Sequence, residues 1–299
     1  MDWQKGRRSD NVVEDDGSGG GGIGGGGMRF GGIHLGLGGT IIAIIIAFAF
    51  PQTRPLIMSL LTGGDESTTS APAGPATAGK PADQNDPQVQ FVQSVLGTTE
   101  DVWGQYFTGR NAQYERPKLL LFHGQTRSGC GAASEAMGPF YCPADHRVYL
   151  DLDFFKEMDT RFHATGDFAR AYVIAHEVGH HVQNLLGIIP QVEQARRQGQ
   201  AMEGATGLSV REELQADCFA GVWGNKTQAQ LNWLHAGDVE AALNAASQVG
   251  DDTLQKQSRG YAVPDSFTHG TAAQRMRWFK AGFTSGDIKD CNTFDAASL

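Results

Sequence analysis

Apolar residues recur along this chain with different periods, and each period predicts a different element. In "AYVIAHEVGHHVQNLLG" (171–187), Ala171, Ile174, Ala175, Val178, Val182, Leu185 and Leu186 share one side at a helical period, so the stretch predicts an amphipathic helix closed by Gly187. His176 and His180 lie on the opposite side. In "RVYLDLDFF" the period is two, with Val148, Leu150, Leu152 and Phe154 on one face and Tyr149, Asp151, Asp153 and Phe155 on the other. That alternation predicts a half-buried edge strand able to pair with an extended peptide, with Asp151 and Asp153 on its solvated face. "KLLLFHG" (118–124) is a short apolar run ending in glycine and predicts another strand. "DPQVQFVQSVLGTTEDVWGQYF" puts Val89, Val92, Val95 and Leu96 on one side of a helix that restarts near Thr99.

From Phe30 to Thr53 there is no Asp, Glu, Lys or Arg, and "TIIAIIIAFAF" within it is almost wholly apolar. The window is long enough to cross a bilayer as a helix, which takes about 20 residues. A cleaved secretory signal is the alternative; its apolar part runs to roughly 7–15 residues, and no small-x-small site directly follows Phe50. Lys5, Arg7, Arg8 and Arg29 precede the window, while only Arg54 and Lys80 follow soon after. The positive-inside rule therefore keeps the N-terminus in the cytoplasm and places the C-terminal bulk outside, as in a single-pass inner (plasma) membrane protein. Residues 62–87, "TGGDESTTSAPAGPATAGKPADQNDP", are small, polar and proline-rich and read as a tether. The expected organisation is a Gly-rich cytoplasmic tail over 1–29, a transmembrane helix over 30–53 in contact with lipid, a flexible linker over 54–87 and one folded domain over 88–299. Short strands among longer helices give that domain an α+β expectation: a small mixed sheet packed on the helix that carries His176 and His180, with further helices around it.

Composition sharpens this picture in two places. Forty of 299 residues are glycine, many of them in "DDGSGGGGIGGGGMRFGGIHLGLGG", so the foldable part is shorter than the chain. The formal net charge is −9 and no Lys/Arg-rich run appears, which excludes nucleic acid as the main partner. The four cysteines permit three full pairings. In an oxidising compartment the nearest pair, Cys130 with Cys142, closes a short loop and leaves Cys218 with Cys291; buried reduced thiols are the alternative.

The candidate chemistry begins with spacing. His176 and His180 are four residues apart, so on a helix they emerge one turn apart on one face and can converge on one ion. Glu177 stands about 100° further round, placed to address a water at the metal rather than to ligate it. A catalytic zinc takes three protein ligands and keeps one open position. In "SVREELQADCFAGVW", Ser209 and Glu212 have the spacing of a capping box at a helix start, and Glu213 and Asp217 then share a face. Glu213 is the candidate third ligand, and Asp217 the acceptor for the outer ring nitrogen of a ligating histidine. His181 points about 100° off the ligand face.

These residues carry a resemblance. "HEVGHH" with "EELQAD" resembles the gluzincin metallopeptidases, and "SGCG", "GPFYCPADHRVYLDLDFF", "GDFARAYVIAHEVGHHVQ" and "HGTAAQRMRWF" are similar to the neutral zinc metallopeptidase family, as is the N-terminal "WQKGRRSDNVVEDD" before a single membrane span. The resemblance implies zinc held by His176, His180 and Glu213, with Glu177 as general base. It also implies that His269 and Arg275 face the substrate and stabilise the oxyanion. The expected activity is Glu-assisted hydrolysis of peptide bonds at zinc in a peptide or unfolded-protein substrate. Two rivals stay open at this point: a catalytically silent, membrane-anchored zinc protein that only binds other proteins, and a purely structural zinc with Cys218 nearby.

Overall fold

The computed structural model describes residues 1–17, 76–134, 138–160, 162 and 164–299. The expected membrane span at 30–53 and the linker as far as residue 75 lie outside the described residues. Among those described, no helix is long and apolar enough to cross a membrane.

Among the described residues seven short strands occur: β1 (Val12–Glu14), β2 (Lys80–Pro81), β3 (Lys118–Phe122), β4 (Gln125–Ser128), β5 (Gly131–Ser134), β6 (Phe140–Cys142) and β7 (Arg147–Asp151). Five make a mixed sheet in the order β2-β1-β3-β7-β6, with β1, β3 and β7 parallel and the two outer strands antiparallel to their neighbours. β4 and β5 form a separate hairpin. The expectation of an edge strand at 147–155 is corrected here, because β7 runs inside the sheet between β3 and β6. Its alternation does not mark one wet face: Val148 through Asp151 are all buried. Asp151 ends the strand, accepting from the Gly124 N–H at 3.0 Å and the Asp153 N–H at 2.9 Å, so it turns the chain into α2 (Asp153–Thr160) rather than meeting solvent.

The chain before the sheet also departs from expectation. A 3₁₀ turn at Trp3–Lys5 and strand β1 lie against the domain, so residues expected in a separate tail supply part of its sheet. Helix α1 (Pro87–Thr108) opens with Pro87 at its first position and the Asp86 carboxylate capping the Gln88 N–H at 2.7 Å. It runs on without the restart expected near Thr99. The Thr98 and Thr99 hydroxyls each donate to the carbonyl three residues back, at 2.7 Å, and so stay within the helix.

The remaining helices are α3 (Asp167–Leu185), α4 (Ile188–Arg197), α5 (Leu208–Leu231), α6 (Asp238–Gln248), α7 (Asp251–Arg259) and α8 (Ala272–Ser285). α5 is buried over most of its length and packs on α8 through glycine: a Cβ on Gly221 would stand 2.1 Å from the Phe279 carbonyl oxygen, and one on Gly282 2.0 Å from that of Cys218. The predicted capping box at Ser209 does not form. Helix α5 starts at Leu208 after Gly207, leaving Ser209 and Glu212 inside the helix and buried. The reciprocal box is at α8 instead, where the Thr271 Oγ1 accepts from the Gln274 N–H at 3.1 Å and Gln274 Oε1 accepts from the Thr271 N–H at 2.8 Å. Both expected disulfides are present: Cys130–Cys142 ties the hairpin turn to β6, and Cys218–Cys291 ties α5 to the C-terminal segment.

Candidate metal centre

The site is built where α3 crosses α5, and the crossing depends on a glycine. A Cβ on Gly179 would lie 3.0 Å from the Ala216 carbonyl oxygen and 3.2 Å from its Cα, so the gap between the two histidines of α3 is what lets the backbone of α5 approach. That approach carries Glu213 to the histidines. His176 Nε2 lies 3.2 Å from Glu213 Oε2, and His180 Nε2 3.5 Å from Glu213 Oε1. His176, His180 and Glu213 thus form a buried group able to hold a metal ion, with ligand atoms all within 4.8 Å of one another.

Both the spacing and the charge of these residues suit a metal ion. Tetrahedral zinc with bonds of about 2.0–2.1 Å separates its ligand atoms by roughly 3.4 Å, close to both distances above. Electrostatics agree. Burial works against a charged His180, yet Glu213, Glu177 and Glu212 raise it to about 10, so the pocket favours positive charge where the ligand atoms meet. Glu213 is likewise buried, but His180 and His176 hold its carboxyl well below the usual range, with a further contribution from His269.

Partners behind the ligands orient them. Asp217, fully buried, accepts from His176 Nδ1 at 2.9 Å, which frees Nε2 of that ring for a metal. The same carboxylate accepts from the Tyr172 hydroxyl at 2.5 Å, and Arg275 donates to it twice, Nε to Oδ2 at 2.8 Å and Nη2 to Oδ1 at 2.9 Å. Burial alone would raise the Asp217 carboxyl; Arg275 and His176 reverse this and hold it at about 2. His180 Nδ1 donates to Gln183 Oε1 at 2.9 Å, and the Gln183 amide is fixed in turn by donating to the Glu212 carbonyl at 2.7 Å and to Gln215 Oε1 at 3.0 Å.

Arg275 is therefore not where it was expected. It is 4% exposed, its guanidinium is committed to Asp217 and the Tyr172 hydroxyl, and it addresses the metal group from behind rather than a substrate from in front. His269 is placed differently. Its Nδ1 lies 3.1 Å from Asp251 Oδ1 and 3.0 Å from Thr268 Oγ1, whereas its buried Nε2 has no partner among the described residues. Asp251 Oδ2 accepts from three successive backbone N–H groups, Thr268 at 2.8 Å, His269 at 2.7 Å and Gly270 at 3.0 Å, which fixes the segment that presents the ring. Glu177 is buried beside the ligands, and burial raises its carboxyl although His176 and His180 oppose the shift. His181 belongs to the core: Nε2 donates to the Glu115 carbonyl at 2.7 Å, so Nδ1 accepts from the Tyr141 hydroxyl at 3.1 Å.

Asp251, Gln183 and Tyr172 went unrecognised in the sequence. Gln183 and Tyr172 left a local trace, since they stand three residues from His180 and four from His176 on one helix. Asp251 reaches His269 across 18 residues of chain, a distance no periodicity bridges.

A family profile described as "Putative neutral zinc metallopeptidase" matches residues 1–294. The uncharacterized protein YpfJ of Escherichia coli K12 is 50% identical over 296 residues, covering 98% of this chain and 99% of that protein. The uncharacterized proteins Rv2575 of Mycobacterium tuberculosis and Mb2605 of Mycobacterium bovis are each 44% identical over 224 residues, covering 70% of this chain and 73% of theirs. No solved structure gives a significant match.

Proposed function

We propose that this chain, which belongs to the neutral zinc metallopeptidase family, is a membrane-attached endopeptidase that hydrolyses peptide bonds with Glu177 as general base. One observation carries the reading: two imidazoles and a carboxylate converge in a buried pocket, with Glu177 on the helical turn between the imidazoles. His176, His180 and Glu213 would hold zinc. When bound, zinc supplies a Lewis acid that makes water acidic near neutral pH and polarises a carbonyl.

The protein's own groups do the rest. Glu177 takes the proton from the attacking water and returns it to the leaving amine; the upward shift from burial suits a group that must do both. His269 offers Nε2 to the oxygen that gains charge. Its Nδ1 proton already faces Asp251, so donation from Nε2 calls for the doubly protonated ring, whose charge Asp251 offsets. Asp217 with Arg275 behind it, and Gln183 on the other side, keep the two ligand rings in one orientation. An extended peptide would pair with β6, the outer strand of the sheet that packs on α3 where Asn184 and His181 reach the Tyr141 hydroxyl. Attachment to lipid rests on the uncharged window at 30–53.

The test is metal dependence. Full-length protein stripped by a chelator should lose hydrolysis of an unfolded protein and recover it with about one equivalent of zinc. Turnover that survives complete stripping would contradict the proposal, and one bound zinc without any turnover would favour the silent binding protein.

A further inference from the structure

The first 17 residues are built into the domain, and this bears on which side of the membrane they occupy. Glu100, buried in the middle of α1, accepts three hydrogen bonds from them, each at 2.6 Å: from Arg7 Nη2, Ser9 Oγ and Asn11 Nδ2. Arg7 also donates to Asp101 and to the Gly97 carbonyl, and Arg8 donates to Gln90. Lys5 donates to the Asn232 carbonyl beyond the end of α5. Gly97 is shaped for the contact, since a Cβ there would stand 1.9 Å from the Arg7 carbonyl oxygen. Backbone pairing completes the join: the Leu119 N–H donates to the Asn11 carbonyl and the Asp15 N–H to the Leu121 carbonyl, on either side of the β1–β3 ladder.

The chain leaves this body at Gly17 and is described again from Ala76, and the two stubs are neighbours. Glu14 and Lys80 are direct partners in the antiparallel β1–β2 pair. Strands paired by hydrogen bonds cannot lie on opposite sides of a bilayer. Moreover, Lys5, Arg7 and Arg8, three of the four cations that orient the N-terminus by the positive-inside rule, are engaged in the fold itself.

We propose that residues 1–17 and 76–299 fold as one body on a single face of the membrane, so that the chain between them, whatever its path, makes no net crossing. The bilayer then faces the β1–β2 end of the sheet, where both stubs emerge. This rests on the reading that residues 30–53 enter lipid, and it replaces the expectation of a cytoplasmic tail opposite an extracytoplasmic domain.

All four cysteines are paired, so one introduced cysteine is the sole free thiol of the chain. Gln4→Cys and Lys280→Cys, both at exposed positions, are made separately in the full-length protein and probed with a membrane-impermeant maleimide in intact spheroplasts and in inverted vesicles. The vesicles are washed with carbonate first. Retained protein that labels at both positions from the same side is the expected result; labelling from opposite sides overturns the proposal alone. Full-length protein released into the wash overturns the membrane reading, and the proposal with it. As a second measurement, Glu14→Cys with Lys80→Cys should cross-link on mild oxidation in the washed membranes. A cross-link absent there, but formed after detergent extraction, also overturns the proposal.

Discussion

Replacing Arg275 with Met separates the arrangement seen here from a substrate-facing arginine. The change keeps an unbranched apolar stem and removes two donors from Asp217, which is 0% exposed. In the folded protein Asp217 is held at about 2 against an ordinary value of 3.8, so its charged form is favoured despite burial by roughly 2–3 kcal/mol, at about 1.4 kcal/mol per pH unit. Arg275 is the largest favourable cause of that shift. Without it the carboxylate keeps only His176 and Tyr172, and removing one partner of a buried pair costs about 3–5 kcal/mol. Metal binding suffers as well: a ligating histidine whose orienting partner is disturbed loses about 10–100-fold in metal affinity. Urea unfolding of the metal-free full-length protein measures the first effect, and competition with a fluorescent zinc chelator measures the second. Stability within about 1 kcal/mol of wild type, an unchanged zinc affinity and a rise in KM alone would refute the reasoning and restore Arg275 to the substrate.

His269→Gln should lower kcat by about 10²–10³-fold, the usual cost of one oxyanion donor, with zinc affinity within about 3-fold of wild type; an equal loss of zinc would mean the ring serves the metal instead. Asp251→Asn should lower kcat in the same direction with KM and zinc affinity close to wild type, and no further loss when it is combined with His269→Gln would mark it as a positioning residue for His269. Burial pushes the His181 imidazole down to about 4, against the hydrogen bond it donates to the Glu115 carbonyl and the Glu115 charge. The unfolded chain protonates near 6.5 while the folded one does not, so this group's contribution is complete above that value and falls by about 2–3 kcal/mol between pH 7 and 4.5. Denaturation across that range should show the loss in wild type and a shallower slope in His181→Gln; identical slopes would contradict it.

The parts of the site that lie within one helix were legible from spacing. One turn separates His176 from His180 and Glu213 from Asp217, and 3.6-residue geometry fixes that such pairs share a face whatever surrounds them. Of the contacts between elements, those of Glu213 and Asp217 with the histidines and the two disulfides were anticipated, and the others were not. Arg275 and Asp251 carry charges that any solvated helix could carry, and only the packing of α5 on α8 brings Arg275 to Asp217. Alternation in "RVYLDLDFF" was a true strand signal, but it could not distinguish a wet carboxylate from Asp151, whose oxygens are taken by backbone N–H groups at the turn into α2. The cations before the apolar window show the same ambiguity on a larger scale: Arg7 read as a topology signal and meets Glu100 inside the fold. At the start of α5, Ser209 and Glu212 matched a capping box in spacing, yet both lie inside the helix and are buried.

The most direct test of the central claim compares full-length wild type with Glu177→Gln, each loaded with zinc, on an unfolded protein. The substitution is close to isosteric and leaves His176, His180 and Glu213 in place. Equal zinc content with cleavage by wild type, and a loss of about 10²-fold or more in the variant, is the predicted result. Cleavage at the same rate by both proteins would contradict the account, because the base would then lie elsewhere.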